Sequence, residues 1–80
     1  MPSGIVHDMT IDRTRFGAEL RRRRVQADLS QAELAELAGT EANTIARMER
    51  GERGPSLSMA QALAAALRCQ IEDLIGRARK

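Results

Sequence analysis

Residues 29–51 read LSQAELAELAGTEANTIARMERG, and this stretch decides the fold because it holds two short helical patterns separated by one glycine. Ser30 and Glu33 stand three residues apart, the spacing at which two residues cap the start of a helix reciprocally. Gly39 ends this helix, since glycine readily takes up the left-handed conformation found beyond many helix ends. Gly51 ends the next helix in the same way. The stretch therefore predicts two short helices joined by a tight turn.

The second helix of this pair is predicted to start at Thr40 or Glu41 and to place Ile45 and Met48 on one apolar face. Ala35 of the first helix is small, which allows the second helix to cross close to it. Such a crossing leaves the opposite face of the second helix toward solvent.

That outward face carries Ala42, Asn43, Ala46 and Arg47. Taken alone, exposed polar residues on a helix are more often a solvated face than a contact surface, since recognition uses few positions. Their place directly after the tight turn nevertheless makes this face the candidate recognition surface of the chain.

The composition favours an all-helical protein. Phe16 is the only aromatic residue, and β-branched residues are scarce, which disfavours sheets. Eighty residues suffice for one modest hydrophobic core. We expect a flexible N-terminal tail at residues 1–11, a five-helix domain at residues 12–76 and a basic tail at residues 77–80.

The other three predicted helices flank the central pair. The first is capped by Asp12 and turns Phe16 and Leu20 inward. The fourth is capped by Ser56, and its expected inner stripe consists of Met59, Leu63, Ala66 and Leu67. The fifth is a short helix at about residues 71–75.

The charge pattern gives only weak support for an anionic partner. The net charge is +2, and residues 29–50 are net acidic. Residues 20–25, LRRRRV, resemble a basic tract for phosphate, but consecutive helical residues fan around most of a helix and share no face. Arg24 lies one turn after Leu20 and returns to the inner stripe, where a buried arginine needs an acidic partner.

Several function classes are disfavoured. Cys69 and His7 are the only residues of their kinds, which excludes an intrachain disulfide and a cysteine-based zinc site. We expect Cys69 to be a small core residue and His7 to lie in the tail. The carboxylates are scattered and no glycine-rich phosphate loop follows a strand, so we predict no enzyme activity, no metal and no cofactor. Without a run of about 18 apolar residues, we expect a cytoplasmic protein that does not enter a membrane.

The chain resembles the lambda-repressor-like, or XRE-type, helix-turn-helix regulators of phages and bacteria. The resemblance is carried by residues 29–51, by PSLSMAQALAAAL at residues 55–67 and by IEDLI at residues 71–75, and it covers roughly residues 13–75. It implies a compact all-α domain of five helices, with the helix-turn-helix at the second and third. It also implies a transcriptional regulator that binds double-stranded DNA with the helix at about residues 41–50 in the major groove.

The resemblance assigns residues to the DNA. Ala42, Asn43 and Arg47 are expected to face base edges, with Asn43 on adenine and Arg47 on guanine or a nearby phosphate. The residues expected to contact the sugar-phosphate backbone are Gln31, Thr44, Arg50 and Arg53. Gln31 would also brace the recognition helix.

Two further assignments are structural. Arg24 matches a frequent family arginine that pairs with a glutamate near the end of the recognition helix, which is Glu49 here. The resemblance therefore implies a partly buried ion pair between the first and third helices. Asp28 stands at a turn position where glycine is frequent, and aspartate tolerates the left-handed conformation better than most residues.

The recognition helix also departs from the family pattern. Glu41 stands where a serine or threonine is frequent, so Thr40 is the alternative cap. A carboxylate at this end of a helix suits the helix dipole but repels phosphate, unless it accepts from a cytosine amino group. Ala42 is short and offers only a contact to a thymine methyl group.

One module of this size buries little DNA surface, which predicts a homodimer that reads two half-sites about 34 Å apart on a (pseudo)palindromic operator. The interface is expected at Ile71, Leu74 and Ile75, with burial of Ile71 and Leu74 in the core as an equally weighted alternative. A different function class also fits the sequence: a protein-interaction module such as the antitoxin of a toxin-antitoxin pair, in which DNA binding is secondary.

Overall fold

The computed structural model describes residues 11–76, which form five α-helices and no strand. The helices are α1 (Arg13–Gln26), α2 (Gln31–Ala38), α3 (Ala42–Glu49), α4 (Leu57–Ala66) and α5 (Ile71–Ile75). This architecture confirms the predicted all-α class. The tail at residues 77–80, His7 and all but the last residue of the tail at residues 1–11 lie outside the described residues, so the domain boundaries stay predictions.

The helix starts follow the capping signals of the sequence. The Asp12 carboxylate accepts from the first turn of α1, as predicted. Ser30 and Glu33 form the complete capping box of α2, with hydrogen bonds of 3.0 and 2.8 Å. Ser56 Oγ accepts from the Met59 amide and caps α4. Three of the five predicted starts are thus fixed by side chains with the expected chemistry.

The ends of α1 to α4 share one construction. In each, two successive amides donate back to carbonyls of the last turn, in the paired pattern called a Schellman motif. The first donor is a residue with positive φ, and these residues are Asp28 at 61°, Gly39 at 75°, Gly51 at 79° and Arg68 at 57°. Asp28 therefore adopts the left-handed conformation expected of it. Arg68 adopts the same conformation, although such a position favours glycine.

The core lies where the five helices meet. The helix-turn-helix pair contributes Leu34, Ala35, Ile45 and Met48, and the flanking helices contribute Phe16, Leu20, Leu63, Ala64 and Leu74. Phe16 and Leu20 are the inward residues that the sequence predicted for α1. Cys69 packs partly buried against this cluster, and burial raises the pKa of its thiol.

The inner face of α4 differs from the predicted stripe. Leu63 is fully buried, but its buried neighbours are Ala60 and Ala64, while Met59 and Leu67 are only partly buried. Ala66, also expected inside, is partly buried as well. The prediction rested on the helical spacing of Met59, Leu63, Ala66 and Leu67. The structure instead turns small alanines inward, which lets α4 pack close to its neighbours.

Leu74 is 1% exposed and belongs to the core, as the alternative to its assignment to the dimer interface predicted. A side chain already covered within one chain offers almost no further apolar area to a partner. Ile71 and Ile75 pack against the same core but stay partly exposed. Of the three residues expected at the interface, these two retain surface for a partner.

Gly17 allows α1 and α3 to touch backbone to backbone. A Cβ atom at this position would lie 2.2 Å from the Met48 carbonyl oxygen and 2.8 Å from that of Glu49. No side chain fits at such distances, so only glycine permits this crossing. α1 therefore lies directly against the last turn of α3.

Candidate functional site

α3 starts at Ala42 and follows Glu41, whose side chain makes no capping hydrogen bond. The alternative that Thr40 caps the helix is wrong. The Thr40 amide donates to the Ala35 carbonyl at 2.8 Å, which makes it the last residue of the turn that closes α2. The start of α3 therefore carries the exposed Glu41 carboxylate and no side-chain cap.

The two faces of α3 differ sharply in exposure. Ile45 and Met48 are 0% exposed and anchor the helix in the core. Asn43 and Arg47 are exposed, as the sequence predicted. Ala42, in the first turn of α3, was expected on this open face but is half-buried.

The remaining residues expected at the DNA backbone also lie near α3. Gln31 and Thr44 are half-buried, and Arg50 and Arg53 are exposed. Ala46, expected on the outward face, is half-buried too. The exposed side chains on α3 and just beyond it thus include one amide and three guanidinium groups, which are strong hydrogen-bond donors.

An ion pair between Arg24 and Glu49 fastens α3 to α1. Arg24 Nε and Nη2 donate to the two carboxylate oxygens at 2.6 and 3.0 Å, and the side chains are only 11% and 3% exposed. Arg24 Nη1 also donates to the Leu29 carbonyl at 2.8 Å. The hydrogen bond to Glu49 raises the pKa of Arg24. The bidentate geometry fixes the angle between the helices as well as their distance.

Gln31 joins this pair from α2. Its Nε2 donates to Glu49 Oε1 at 3.1 Å, so the Glu49 carboxylate receives hydrogen bonds from α1 and from α2. A buried carboxylate is stable only with such partners. The first residue of α2 is therefore directly connected to the last residue of α3.

The other arginines of the LRRRRV run do not contribute to this face. Arg22 and Arg23 both donate to Glu19 on α1, whose pKa is lowered chiefly by the hydrogen bond from Arg22. Arg21 is exposed. The run is therefore divided between one structural arginine, two paired with Glu19 and one at the surface.

A second acidic residue, Glu52, lies just beyond α3. Its carboxylate accepts from Arg50 Nε at 2.7 Å and from Arg50 Nη2 at 3.2 Å, and Arg47 Nε lies 3.7 Å from the same group. The hydrogen bond from Arg50 lowers the pKa of Glu52. Two arginines of the candidate face thus share one carboxylate.

The sequence reading missed Glu52 and Gly17. A signal for Glu52 was present, because a helix that ends at Gly51 brings the next residue back over the last turn, where Arg47 and Arg50 lie. No comparable signal marked Gly17. A glycine inside a helix indicates a close approach only when the crossing partner is already known.

Two further findings concern metal binding and membrane insertion. Among residues 11–76, no cluster of histidine, cysteine and acidic side chains has the arrangement needed to hold a metal ion. In the same part of the chain, no helix has the length and apolar character to cross a membrane.

Comparisons with known proteins place the chain among helix-turn-helix proteins. Residues 20–74, more than half of the chain, match the helix-turn-helix family model HTH_3. The fold is similar to that of the restriction-modification controller protein C.AhdI from Aeromonas hydrophila, with 38% identity and a TM-score of 0.76 over 79% of this chain and 96% of that one. It is also similar to the P22 c2 repressor in complex with synthetic operator 9T, with 31% identity and a TM-score of 0.74 over 76% and 92%.

One similar structure is an enzyme. Hydroxypropylphosphonic acid epoxidase from S. wedmorenis shares 34% identity and a TM-score of 0.76 over 88% of this chain, but over only 37% of its own chain. The likeness is therefore to a part of a longer protein. Among curated protein sequences, none matches the chain significantly.

Proposed function

Because the chain belongs to the HTH_3 family of helix-turn-helix proteins, we propose that it is a transcriptional regulator that binds specific double-stranded DNA through α3. The controller protein and the operator-bound repressor support a DNA-binding regulator, since each is matched over more than nine-tenths of its length. The epoxidase is matched over 37% of its chain, which gives no support for an enzyme activity here. We place this function in the cytoplasm.

The observation that carries the proposal is the contrast between the two faces of α3. Its inner face is locked by Ile45, Met48 and the Arg24–Glu49 ion pair, while Asn43 and Arg47 stand exposed on the outside. A helix held this rigidly presents its outer side chains in a fixed register. That is the requirement for reading base edges in a major groove.

In this arrangement Asn43 donates to and accepts from adenine, and Arg47 donates to guanine or to a phosphate. Thr44, Arg50 and Arg53 contact the sugar-phosphate backbone. Ala42 contributes at most a thymine-methyl contact, and its partial burial limits even this contact. Direct readout then rests mainly on two side chains.

Gln31 contributes at the other end of the motif. Its amide already bonds Glu49, so a phosphate bound by Gln31 is coupled to the residue that positions α3. Contact with the DNA backbone and orientation of the recognition helix are then linked through one side chain.

The proposed unit of binding is a homodimer on a (pseudo)palindromic operator. One domain of this size covers a single half-site, and two-fold symmetry places a second α3 about 34 Å away along the same face of the duplex. Ile71 and Ile75 of α5 supply partly exposed apolar surface for this contact.

Selection from a random duplex library, followed by fluorescence anisotropy on the selected sequence, tests the function. We expect one preferred sequence, with affinity that falls steeply as salt rises. Asn43→Ala and Arg47→Ala should each weaken binding to it by about 5- to 150-fold, the effect of losing one bidentate base contact of roughly 1–3 kcal/mol.

Arg22→Ala is the matched control, because Arg22 and Arg47 are 52% and 48% exposed and the same charge is removed. It should leave the sequence preference unchanged. Equal losses for the control and for Arg47→Ala would refute the assignment of α3. A protein that prefers no sequence over random duplex would refute the function and favour the protein-interaction alternative.

A further inference from the structure

Glu52 occupies a fixed position beside the face of α3 that we assign to DNA. The chain turns at Gly51, and the amides of Gly51 and Glu52 donate to the carbonyls of Met48 and Arg47 at 3.1 and 3.0 Å. From α1, Arg13 Nη1 donates to the Glu52 carbonyl oxygen at 3.2 Å. The backbone of Glu52 is thus held by two helices, which places its side chain at the end of the recognition helix.

The carboxylate of Glu52 engages the two arginines that flank this end. Its oxygens lie 2.7 Å from Arg50 Nε and 3.7 Å from Arg47 Nε. The three side chains are 49%, 55% and 48% exposed, so the cluster is open to solvent and to a ligand. A glutamate carboxylate is ionised at neutral pH, and the hydrogen bond from Arg50 lowers the pKa of Glu52 further.

We propose that Glu52 is an intramolecular competitor for DNA phosphate, which limits the affinity of α3 for any duplex. This inference rests on the DNA-binding function proposed above. In the unbound protein the carboxylate occupies the donors of Arg50 that a phosphate would use. After Arg50 exchanges partners, the negative charge of Glu52 stays close to the phosphates and repels them.

The two ion pairs in and next to α3 differ in exposure, which explains why a phosphate can replace the acidic partner in only one of them. The pair between Arg24 and Glu49 is 11% and 3% exposed, and its disruption would leave a buried charge without a partner. The pair between Arg50 and Glu52 is about half exposed and is worth little in water. A phosphate can therefore displace Glu52 from Arg50 while the Arg24–Glu49 ion pair, which holds α3 against α1, stays intact.

The competition acts on phosphate contacts, which every duplex offers. Removal of the charge should therefore raise affinity for the operator and for random duplex by similar factors. Glu52→Gln keeps the size of the side chain and removes its charge. We expect about a three- to tenfold gain in affinity at low salt, from the lost ion pair and the lost repulsion together.

The experiment compares wild-type protein, Glu52→Gln and Glu72→Gln by fluorescence anisotropy on the selected operator and on random duplex. Glu72 is exposed on α5, so its substitution changes the net charge equally at another place. Glu52→Gln should bind more tightly and show a slope of log affinity against log salt that is steeper by up to about one. Glu72→Gln should match the wild type within twofold.

A double-mutant cycle separates competition from simple charge repulsion. Glu52→Gln should lose part of its gain in an Arg50→Ala background, because the Arg50 donors for which Glu52 competes are then absent, while the repulsion between Glu52 and phosphate is still removed by the substitution. An equal gain in both backgrounds, or unchanged or weaker binding by Glu52→Gln, would overturn the proposal. Wild-type protein that prefers no duplex would overturn the proposed function itself, and the wild-type measurement alone reveals this.

Discussion

At the scale of single residues, the position of α3 depends on one buried carboxylate. Glu49 is 3% exposed and receives hydrogen bonds from Arg24 on α1 and Gln31 on α2. Such a pair adds little net stability compared with an apolar pair, but the loss of one member is costly. Its main contribution is therefore to orientation, since it fixes three helices around one point.

Arg24→Ala should lower the free energy of unfolding by about 3–5 kcal/mol, because the Glu49 carboxylate then stays buried with only Gln31 as partner. Urea unfolding followed by circular dichroism measures this change. Arg22→Ala, which removes an exposed arginine from the same helix, should leave the free energy of unfolding nearly unchanged. Comparable losses in the two variants would contradict a structural role for the Arg24 pair.

The sequence predicted this residue-scale arrangement to different degrees. Helical periodicity alone turned Arg24 inward and required a partner, and the family resemblance named Glu49. Neither source indicated that Gln31 would bond the same carboxylate, because contacts among three helices depend on crossing angles that a sequence pattern does not contain. Glu52 was missed although the turn expected at Gly51 indicated that the next residue lies near the last turn of α3.

At the scale of elements, the helix ends decide how the short helices meet. Four of the five described helices end in the same paired hydrogen-bond pattern, two of them with glycine at the positive φ and two with Asp28 and Arg68. A residue with a Cβ atom pays about 1–2 kcal/mol for this conformation, whereas aspartate tolerates it better. Arg68 is therefore the most strained of these positions.

Arg68→Gly should raise the free energy of unfolding by about 0.5–1 kcal/mol, since relief of strain exceeds the extra chain entropy of glycine. The corresponding rise in Tm is about 2–8 °C for a domain of this size. Arg68→Ala is the matched control, because it removes the same exposed side chain but keeps the strain, and it should not stabilise. Asp28→Gly should gain less than Arg68→Gly.

If Arg68→Gly and Arg68→Ala shifted the thermal midpoint equally, the loss of the side chain and not the relief of backbone strain would be responsible.

The sequence predicted most of these element boundaries, because Asp12, Ser30 and Ser56 are caps with short-range partners. Of the two starts that it offered for α3, Thr40 and Glu41, the second is the N-cap. It failed at part of the inner face of α4, where Ala60 and Ala64 are buried and Met59 and Leu67 are only partly buried.

At the scale of the whole molecule, the proposed homodimer depends on what α5 leaves uncovered. Leu74 is used within the chain, so Ile71 and Ile75 are the residues of this short helix with apolar surface to offer. An interface of two isoleucines from each subunit is small, and we expect weak association that strengthens on a two-site operator.

Ile75→Glu should shift the protein toward monomer in sedimentation equilibrium and weaken binding to a two-site operator by at least about tenfold, since one charge per subunit meets its own copy across a two-fold axis. Binding to an isolated half-site should not change, because α3 is untouched. Unchanged self-association with an intact circular dichroism spectrum would place the interface elsewhere.

The contact at Gly17 has a consequence for how such a protein acquires new specificity. Because the backbones of α1 and α3 touch there, the position of α3 is set by main-chain atoms and inward side chains, not by the residues that face outward. Asn43 and Arg47 can therefore be exchanged for other residues without rebuilding the scaffold. The proposed recognition surface can change, in evolution or by redesign in the laboratory, while the hydrophobic core beneath it stays the same.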